Sequence, residues 1–257
     1  MSDGAENERG VFAVLEKVFS NPQLPSGVIA LREQVFAERR FWISCRYYAA
    51  GQWDDARRNL AAALALRPKL LGQPESLLQL LYEDALGPHV SDPLQFVEGV
   101  LDHLPACVDG LRRYRSHLLS QIYAGLAMRN YDAGNIAYAK SQLTQAVALA
   151  PTRFEQTEDF ARLLSDCAVH LPFTAPILYV DRVLKNLPAQ AQGLGRVRAR
   201  ALSDVNAELA YRDWLAGKRG LAVRRILTAL RHRPLLICDQ RVVSSVLELP
   251  KLGNGRA

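Results

Sequence analysis

The sequence has few cysteines, no long apolar run and no signal peptide. Its four cysteines lie far apart, with no C-x-x-C spacing and no histidines at ligand spacing: Cys45, Cys107, Cys167 and Cys238. A zinc site and a small disulfide scaffold are therefore not predicted, and we expect buried free thiols. No stretch approaches the run of about 18 apolar residues that a membrane-spanning helix needs, and Met1 to Gly10 are polar and acidic. We expect a soluble protein of the cytoplasm.

Motifs of catalysis are also absent. The fragment Gly193-Leu194-Gly195 lacks the last glycine of a dinucleotide-binding loop, because Arg198 stands there, and no strand pattern precedes it. The five histidines form no i, i+4 pair, and no G-x-S-x-G occurs. The adjacent carboxylates Asp54-Asp55 and Glu83-Asp84 point in different directions on a helix, so they do not form an acid and base pair. The sequence therefore predicts no enzyme, no metal site and no cofactor.

What the sequence does contain is a repeat with a period of 83 residues. Four sets of residues recur at this offset: Pro22, Pro105 and Pro188; Gly27, Gly110 and Gly193; Ala50-Gly51, Ala133-Gly134 and Ala216-Gly217; Pro68, Pro151 and Pro234. A fixed period of this kind is typical of stacked structural repeats, each of which buries its apolar face against the next. Stacked helical units are therefore expected.

The repeats predict an all-α fold, an α-solenoid of three 83-residue units with roughly four helices each. We place the units at residues 10–92, 93–175 and 176–250, with a disordered tail at 1–9 and a second tail at 251–257. The sequence shows no sustained period-2 alternation and no hairpin signal, so no strand is predicted.

The middle copy shows the predicted helices most clearly. Asp92-Pro93 opens a short helix, and Asp109-Gly110 begins a long helix that ends at Ala133-Gly134. Glycine is expected at such an end because it adopts the left-handed conformation at no steric cost. Two further helices follow, one from Asn135 to Ala150 and one around Glu155 to Val169.

Small and apolar residues in the two central helices of each unit recur in register. They are Ser44, Gly51, Ala56, Leu60, Ala63 and Pro68 in the first copy, Ala127, Gly134, Ala139, Leu143, Ala146 and Pro151 in the second, and Ala210, Gly217, Ala222, Ile226, Ala229 and Pro234 in the third. This pattern resembles the tetratricopeptide helix-turn-helix, in which small residues let two helices approach and a proline closes the second. Ordinary tetratricopeptide units repeat about every 34 residues, whereas about 49 residues intervene here.

Three segments carry a narrower resemblance. Lys17-Val18-Phe19-Ser20-Asn21-Pro22, Ala30-Leu31-Arg32 and the run from Tyr47 to Arg58 resemble the helical tails that follow the catalytic domain in some bacterial family 2 glycosyltransferases. The likeness covers most of residues 10–250. The chain has no Asp-x-Asp motif and no nucleotide-binding βα pattern, so the resemblance implies an accessory or substrate-organising role.

The net charge of +6 is concentrated in the third unit. Residues 1–175 contain 17 Lys and Arg against 20 Asp and Glu, and residues 176–257 contain 15 against 6. Much of the excess falls on one predicted helix: Lys218, Arg219, Arg224, Arg225, Arg231 and Arg233. The first four are candidate ligand-binding residues. Such a face attracts nucleic acid, an anionic membrane surface or an acidic protein, or it is a solvated face without a ligand.

Arginines recur along the predicted long helix of each unit. Arg32, Arg115 and Arg198 share one position, and Arg46, Arg129 and Arg212 share another, 14 residues later. Fourteen residues at about 100° each return to within about 40° of the same face, so each unit presents two guanidinium groups on one stripe. Such a ladder would suit phosphate or carboxylate groups of a ligand. The alternative, which we favour, is that each arginine pairs with a neighbouring carboxylate or covers the last carbonyls of a helix.

An aromatic residue also recurs near the end of the long helix, as Tyr48, Tyr131 and Trp214. Its place beside the Ala-Gly pair predicts packing across the helix hairpin rather than stacking on a base or a sugar. It is therefore not counted among the candidate ligand-binding residues.

These patterns favour a non-catalytic helical-repeat module for protein interaction or scaffolding, associated with bacterial glycan assembly. We expect a protein partner, for which a glycosyltransferase is a candidate, and an anionic ligand or membrane surface is a further one. The alternative is a nucleic-acid-binding or regulatory helical-repeat protein that acts through the basic third unit.

Overall fold

A computed structural model describes residues 4–70, 73–155, 157–170 and 175–234. Within these ranges the chain consists of α-helices, 3₁₀ segments and connecting turns, and no strand occurs. The predicted all-α class is therefore confirmed. The chain divides into two compact units, Met1–Ile122 and Tyr123–Ala257, and the division falls inside one long helix. The repeat boundaries predicted after residues 92 and 175 remain predictions.

The first compact unit contains the helices up to the start of the long helix α7 (Arg115–Asp132). They are α1 (Gly4–Phe19), α2 (Ser26–Ile29), α3 (Arg32–Ala49), α4 (Trp53–Leu66), α5 (Pro74–Ala85) and α6 (Pro93–Asp102), with 3₁₀ segments at Pro68–Leu70 and Ala106–Tyr114. Asp92 caps the start of α6, because its carboxylate accepts hydrogen bonds from the backbone N–H groups of Leu94 and Gln95, both at 3.0 Å.

The second compact unit contains the rest of α7 and the helices after it. They are α8 (Ile136–Leu149), α9 (Pro151–Glu155), α10 (Thr157–His170), α11 (Pro176–Lys185), α12 (Arg198–Leu215) and α13 (Arg219–His232), with a 3₁₀ segment at Ala189–Val197. Helices α3, α7 and α12 begin at residues 32, 115 and 198, and helices α4, α8 and α13 begin at residues 53, 136 and 219. The local structure thus follows the 83-residue offset of the sequence.

The turn between each pair of central helices depends on glycine. Gly51, Gly134 and Gly217 have φ angles of 71°, 79° and 75°, in the left-handed region. The residue after each glycine donates its backbone N–H to a carbonyl five residues earlier: Gln52 to Tyr47 at 2.9 Å, and Asn135 to Asn130 and Lys218 to Asp213 at 2.8 Å. These bonds satisfy carbonyls that the helix end leaves open. The predicted helix ends are confirmed.

Alanines lie at the centre of the helix hairpins. Ala56, Ala139 and Ala222 have no exposed surface, and Leu60 and Leu143 are equally buried. Helix α4 packs along α3, and α13 packs along α12. Because an alanine side chain is a single methyl group, it lets two helix backbones approach more closely than a larger residue would.

The recurring aromatic residue has a role beyond packing. Tyr48 and Tyr131 are buried and donate their hydroxyl protons to the carbonyl oxygens of His103 and Asn186, at 2.9 and 2.7 Å. These carbonyls belong to the C-terminal caps of α6 and α11. Each tyrosine therefore connects a long helix to the first helix of the next 83-residue segment, α3 to α6 and α7 to α11. Burial raises the pKa of Tyr131 to about 12, so the phenol keeps the proton that it donates.

Residues 4–9 correct one sequence prediction, because they are helical and not a disordered tail. Helix α1 is held by two kinds of contact with the rest of its unit. The ring of Phe12 stacks on Phe36 with centroids 5.9 Å apart. Glu8 accepts a hydrogen bond from the Tyr47 hydroxyl at 2.8 Å and pairs with Arg58 at 3.1 Å. Glu8, which lies in the segment predicted to be a disordered tail, thus contributes contacts that hold α1 in its compact unit.

Two further expectations differ from the structure. The long helix predicted from Asp109-Gly110 begins only at Arg115, because a 3₁₀ segment with a non-helical kink at Val108 precedes it. Cys107 lies in that segment and is exposed, whereas Cys45 is buried as expected. The predicted end of the third repeat at 235–250, the tail at 251–257 and Cys238 lie outside the described residues.

Candidate functional site

The first arginine of each predicted stripe is the first residue of a long helix, α3, α7 or α12. Each one pairs with a carboxylate of an earlier helix of the same 83-residue segment, which is α1, α6 or α11. The pairs are Arg32 with Glu16 at 2.7 Å, Arg115 with Glu98 and Asp102, and Arg198 with Asp181 at 2.9 Å. The pairing therefore recurs along with the arginines.

These ion pairs lie at the solvent edge of the helices. The side chains of Arg32, Arg115 and Arg198 are 48%, 35% and 55% exposed. Exposed pairs are worth about 0–1 kcal/mol, because water and salt screen the charges. The first arginines thus already have anionic partners, which favours their structural interpretation over a ladder of ligand sites.

We expect Arg115→Ala to lower the free energy of unfolding by less than about 1 kcal/mol. Glu98 and Asp102 are themselves largely exposed, so water solvates them once the arginine is removed. Urea denaturation followed by circular dichroism measures the change, with Arg198→Ala as the matched variant. A loss of about 3–5 kcal/mol in either protein would instead indicate a buried pair in solution.

The second arginines occupy three different environments. The guanidinium of Arg46 lies over the ring of Trp42, with its Cζ 4.5 Å from the centroid. Arg212 donates a hydrogen bond to the carbonyl oxygen of Val169 at 3.1 Å, in the last turn of α10. Arg129 is exposed on α7. The equivalent positions therefore do not form a uniform set of anion ligands within either compact unit.

Arg225, the fourth candidate residue of the basic helix, belongs to the fold. Its guanidinium pairs with Asp213 at 2.6 Å, and both side chains are half-buried. A carboxylate at this position would face Asp213 directly. Arg225 is therefore unsuitable for a charge reversal that is meant to test binding alone.

Three candidate cations remain accessible at the start of α13, and we call Lys218, Arg219 and Arg224 the basic surface. All three are exposed, and Arg219 lies over the ring of Trp214 at 5.4 Å. In the part of the chain that the structure describes, the side chains of Lys218 and Arg224 form no ion pair. Residues 218–234 contain six Lys and Arg and no Asp or Glu, so the local potential is positive.

Contacts between α12 and α13 hold the basic surface in place. Ser203 of α12 donates its hydroxyl proton to the carbonyl oxygen of Ala229 at 3.0 Å, inside the hairpin. Ala222 is fully buried on the same side of α13. Arg224 follows Ala222 by two residues, or about 200° around the helix, so it points away from α12.

A groove beside Trp53 is a feature that the sequence patterns did not predict. It has a volume of about 240 Å³, and its lining includes Tyr48, Gly51, Trp53 and Asp92. Trp53 stacks on His103 with ring centroids 4.5 Å apart. The Tyr48 hydroxyl and the Asp92 carboxylate are already engaged in hydrogen bonds within the fold. The side chain that the groove leaves available for contact is therefore mainly the aromatic ring of Trp53. A tryptophan at the start of α4 was the one feature of the sequence that could have indicated the groove.

The described residues contain no metal-binding cluster and no membrane-spanning helix. Among the described residues, no three His, Cys, Asp or Glu side chains are grouped so that they could hold a metal ion. No helix within the same ranges has the length and the apolar character needed to cross a bilayer. Comparisons with protein-family models, with curated proteins and with solved structures found no match to the chain.

Proposed function

We propose that this chain is a non-catalytic protein-interaction or scaffolding module, built as an α-solenoid of three 83-residue repeats with tetratricopeptide-like hairpins. The helix bounds and the left-handed glycines that recur at the 83-residue offset support the repeat arrangement. Repeats of this kind expose long surfaces that bind other macromolecules.

The module acts in bacterial glycan assembly, and a glycosyltransferase is its candidate partner. Support comes from the resemblance of residues 17–22, 30–32 and 47–58 to the helical tails of family 2 glycosyltransferases. In those enzymes the tail accompanies a catalytic domain, so the resemblance supports an accessory role beside such a domain.

The accessible cations of the basic surface carry the proposal. The arginines that begin α3, α7 and α12 already have carboxylate partners, whereas Lys218 and Arg224 have none among the described residues. A surface with cations and no acidic residue complements an acidic segment of a protein partner. Such complementarity raises the association rate and selects against basic partners.

A triple charge reversal, Lys218→Glu with Arg219→Glu and Arg224→Glu, tests this proposal. We expect the full-length variant to lose the partner that the wild-type chain captures from cells of the source organism. Its melting temperature should stay close to that of the wild type, because the three side chains are exposed. Quantitative mass spectrometry of the captured proteins measures the loss and identifies the partner.

The matched control is Lys17→Glu with Lys69→Glu and Lys185→Glu. These lysines are also exposed, and the control changes the net charge by the same amount. Capture that survives the triple reversal, or that both variants lose equally, would contradict a specific role of the basic surface. A captured partner with no part in glycan assembly would contradict the glycosyltransferase link alone.

Binding to duplex DNA separates the alternative function from this one. Each phosphate that a cation neutralises adds about −0.9 to the slope of log affinity against log salt. Micromolar or tighter DNA binding with such a slope, abolished by the triple reversal, would favour the nucleic-acid-binding alternative.

A further inference from the structure

The first helices expose apolar residues whose equivalents later in the chain are buried. Val28 and Leu31 are 39% and 48% exposed. The residues 166 positions later, Leu194 and Val197, are buried, and so is Leu111, which lies 83 positions after Val28. Val14 and its equivalents show the same contrast: Val14 is exposed, whereas Val97 and Val180 are buried.

The contacts of the second compact unit explain why the later copies are buried. The 3₁₀ segment Ala189–Val197, which contains Leu194 and Val197, contacts α8 and α10 of the preceding 83-residue segment. All of these elements contribute to one apolar cluster. Val28 and Leu31 therefore correspond to one half of a contact whose other half is formed by equivalents of α8 and α10, and the equivalent of α10 lies outside the described residues.

Helix α13 is the equivalent of α8 in the third 83-residue segment. On α8, the stripe Ile136, Lys140, Leu143 and Thr144 is buried or half-buried. The equivalent stripe on α13 is Arg219, Val223, Ile226 and Leu227. Here Val223 and Leu227 are 48% and 62% exposed, although both are more apolar than their counterparts Lys140 and Thr144. Stacked repeats usually bury residues at such positions against a neighbouring unit.

We infer that copies of this chain associate head to tail. The head surface, Val28 and Leu31, of one copy packs on the tail surface, Val223 and Leu227, of the next. This contact reproduces between two chains the one that Ala189–Val197 makes with α8 within one chain. It buries apolar side chains on both sides, which is the main favourable term in protein association.

The charges around the two surfaces are complementary. Residues 1–38 contain six Asp and Glu against three Lys and Arg, whereas residues 218–234 contain six Lys and Arg and no Asp or Glu. Near the head surface, Glu33 is exposed and forms no ion pair within the described ranges. Arg224 lies directly beside Val223 of the tail surface. A second copy of this chain is thus the partner that fits, because like ends repel and unlike ends attract.

A dimer joined by one head-to-tail contact still has one open head and one open tail, so growth continues until a ring closes or proceeds as an open filament. This self-association goes beyond the partner binding proposed above. It depends on Val223 and Leu227, whereas partner binding depends on the basic surface. Arg219 and Arg224 adjoin the tail surface, so the triple charge reversal should weaken both kinds of binding. Replacement of Val28 and Leu31 leaves the basic surface unchanged, so self-association can be lost while partner binding is kept.

Two variants of the full chain test the contact. The head variant carries Val28→Glu and Leu31→Glu, and the tail variant carries Val223→Glu and Leu227→Glu. Sedimentation of the wild type should show an average mass that rises with concentration beyond twice the 28.6 kDa chain mass. Each variant alone should remain a monomer. Their mixture should form a one-to-one dimer and nothing larger, because the tail of the head variant and the head of the tail variant are intact.

Tyr138→Glu is the control, since it places one glutamate on an exposed aromatic residue of α8 outside both surfaces. We expect it to associate as the wild type does. Circular dichroism shows whether each variant is folded, and the mixture supplies an independent check, because only folded variants can pair. Wild-type chain that stays monomeric up to about 1 mM would overturn the inference. So would either variant dimerising alone, or a mixture that stays monomeric.

Discussion

Replacement of Phe160 by alanine should lower the free energy of unfolding by about 3–5 kcal/mol, the usual cost for a buried phenylalanine. Phe160 belongs to the apolar cluster of the second compact unit, and its ring lies 6.3 Å from that of Phe154. Alanine would leave a cavity in a cluster that also includes Leu164 and Tyr179. Guanidinium denaturation followed by circular dichroism measures the loss.

Tyr138→Ala is the control for this substitution, because it removes an exposed aromatic ring from α8 in the same unit. We expect a change within about 0.5 kcal/mol for that variant. Equal losses in the two variants, or a Phe160→Ala chain as stable as the wild type, would mean that Phe160 does not lie in the core.

The fold could be predicted from the sequence where a single residue type decides the local geometry. Gly51, Gly134 and Gly217 end their helices because few other residues adopt the left-handed conformation without strain. Ala139 is buried because only a small side chain lets the helices approach there. Few other residue types fit at such positions, so the same residue recurs every 83 positions and can be recognised in the sequence.

The segments before α7 and α12 could not be predicted in the same way. Ala106–Tyr114 and Ala189–Val197 are 3₁₀ segments, although their composition also suits an α-helix. Both segments are held by burial, because Leu111 and Leu194 are buried and Leu194 belongs to the apolar cluster of the second compact unit. Packing against residues that are distant in the sequence thus overrides the local preference for an α-helix. A periodic sequence pattern does not show which distant residues pack together.

For the repeated arginines, the sequence pattern predicted one member of each ion pair but not the other. Glu98 and Asp181 are equivalent positions, but the residue 83 positions before Glu98 is Leu15, and the first copy uses Glu16 instead. A long arginine side chain reaches either position on the short helix. The ion pair is therefore kept in all three copies, although its carboxylate lies one residue later in the first copy than in the others. The 83-residue offset thus identifies the three arginines but not all of their partners.

For the basic helix α13, the sequence predicted the charge but not which of its arginines are accessible. Its charge was evident from composition, but composition cannot separate Arg225, which pairs with Asp213 twelve residues earlier, from Arg224, which points to solvent. The difference comes from the direction of neighbouring side chains on a helix, about 100° apart. Only one of the two faces α12.

Ala139→Leu should lower the free energy of unfolding by about 1–3 kcal/mol through overpacking. Ala139 has no exposed surface and lies in one apolar cluster with Ala127 of α7 and Leu143 of α8. Three additional heavy atoms can enter this space only if the helices separate or neighbouring side chains leave their preferred rotamers. Thermal and urea denaturation measure the loss.

Ala137→Leu is the matched control, because Ala137 is exposed on the same helix and receives the same substitution. Leucine and alanine differ little in helix propensity, so we expect a change within about 0.5 kcal/mol there. The difference between the two variants isolates the cost of filling the helix contact. If Ala139→Leu melts at the same temperature as Ala137→Leu, the recurring alanines do not set the distance between the helices, and the tetratricopeptide-like register is wrong.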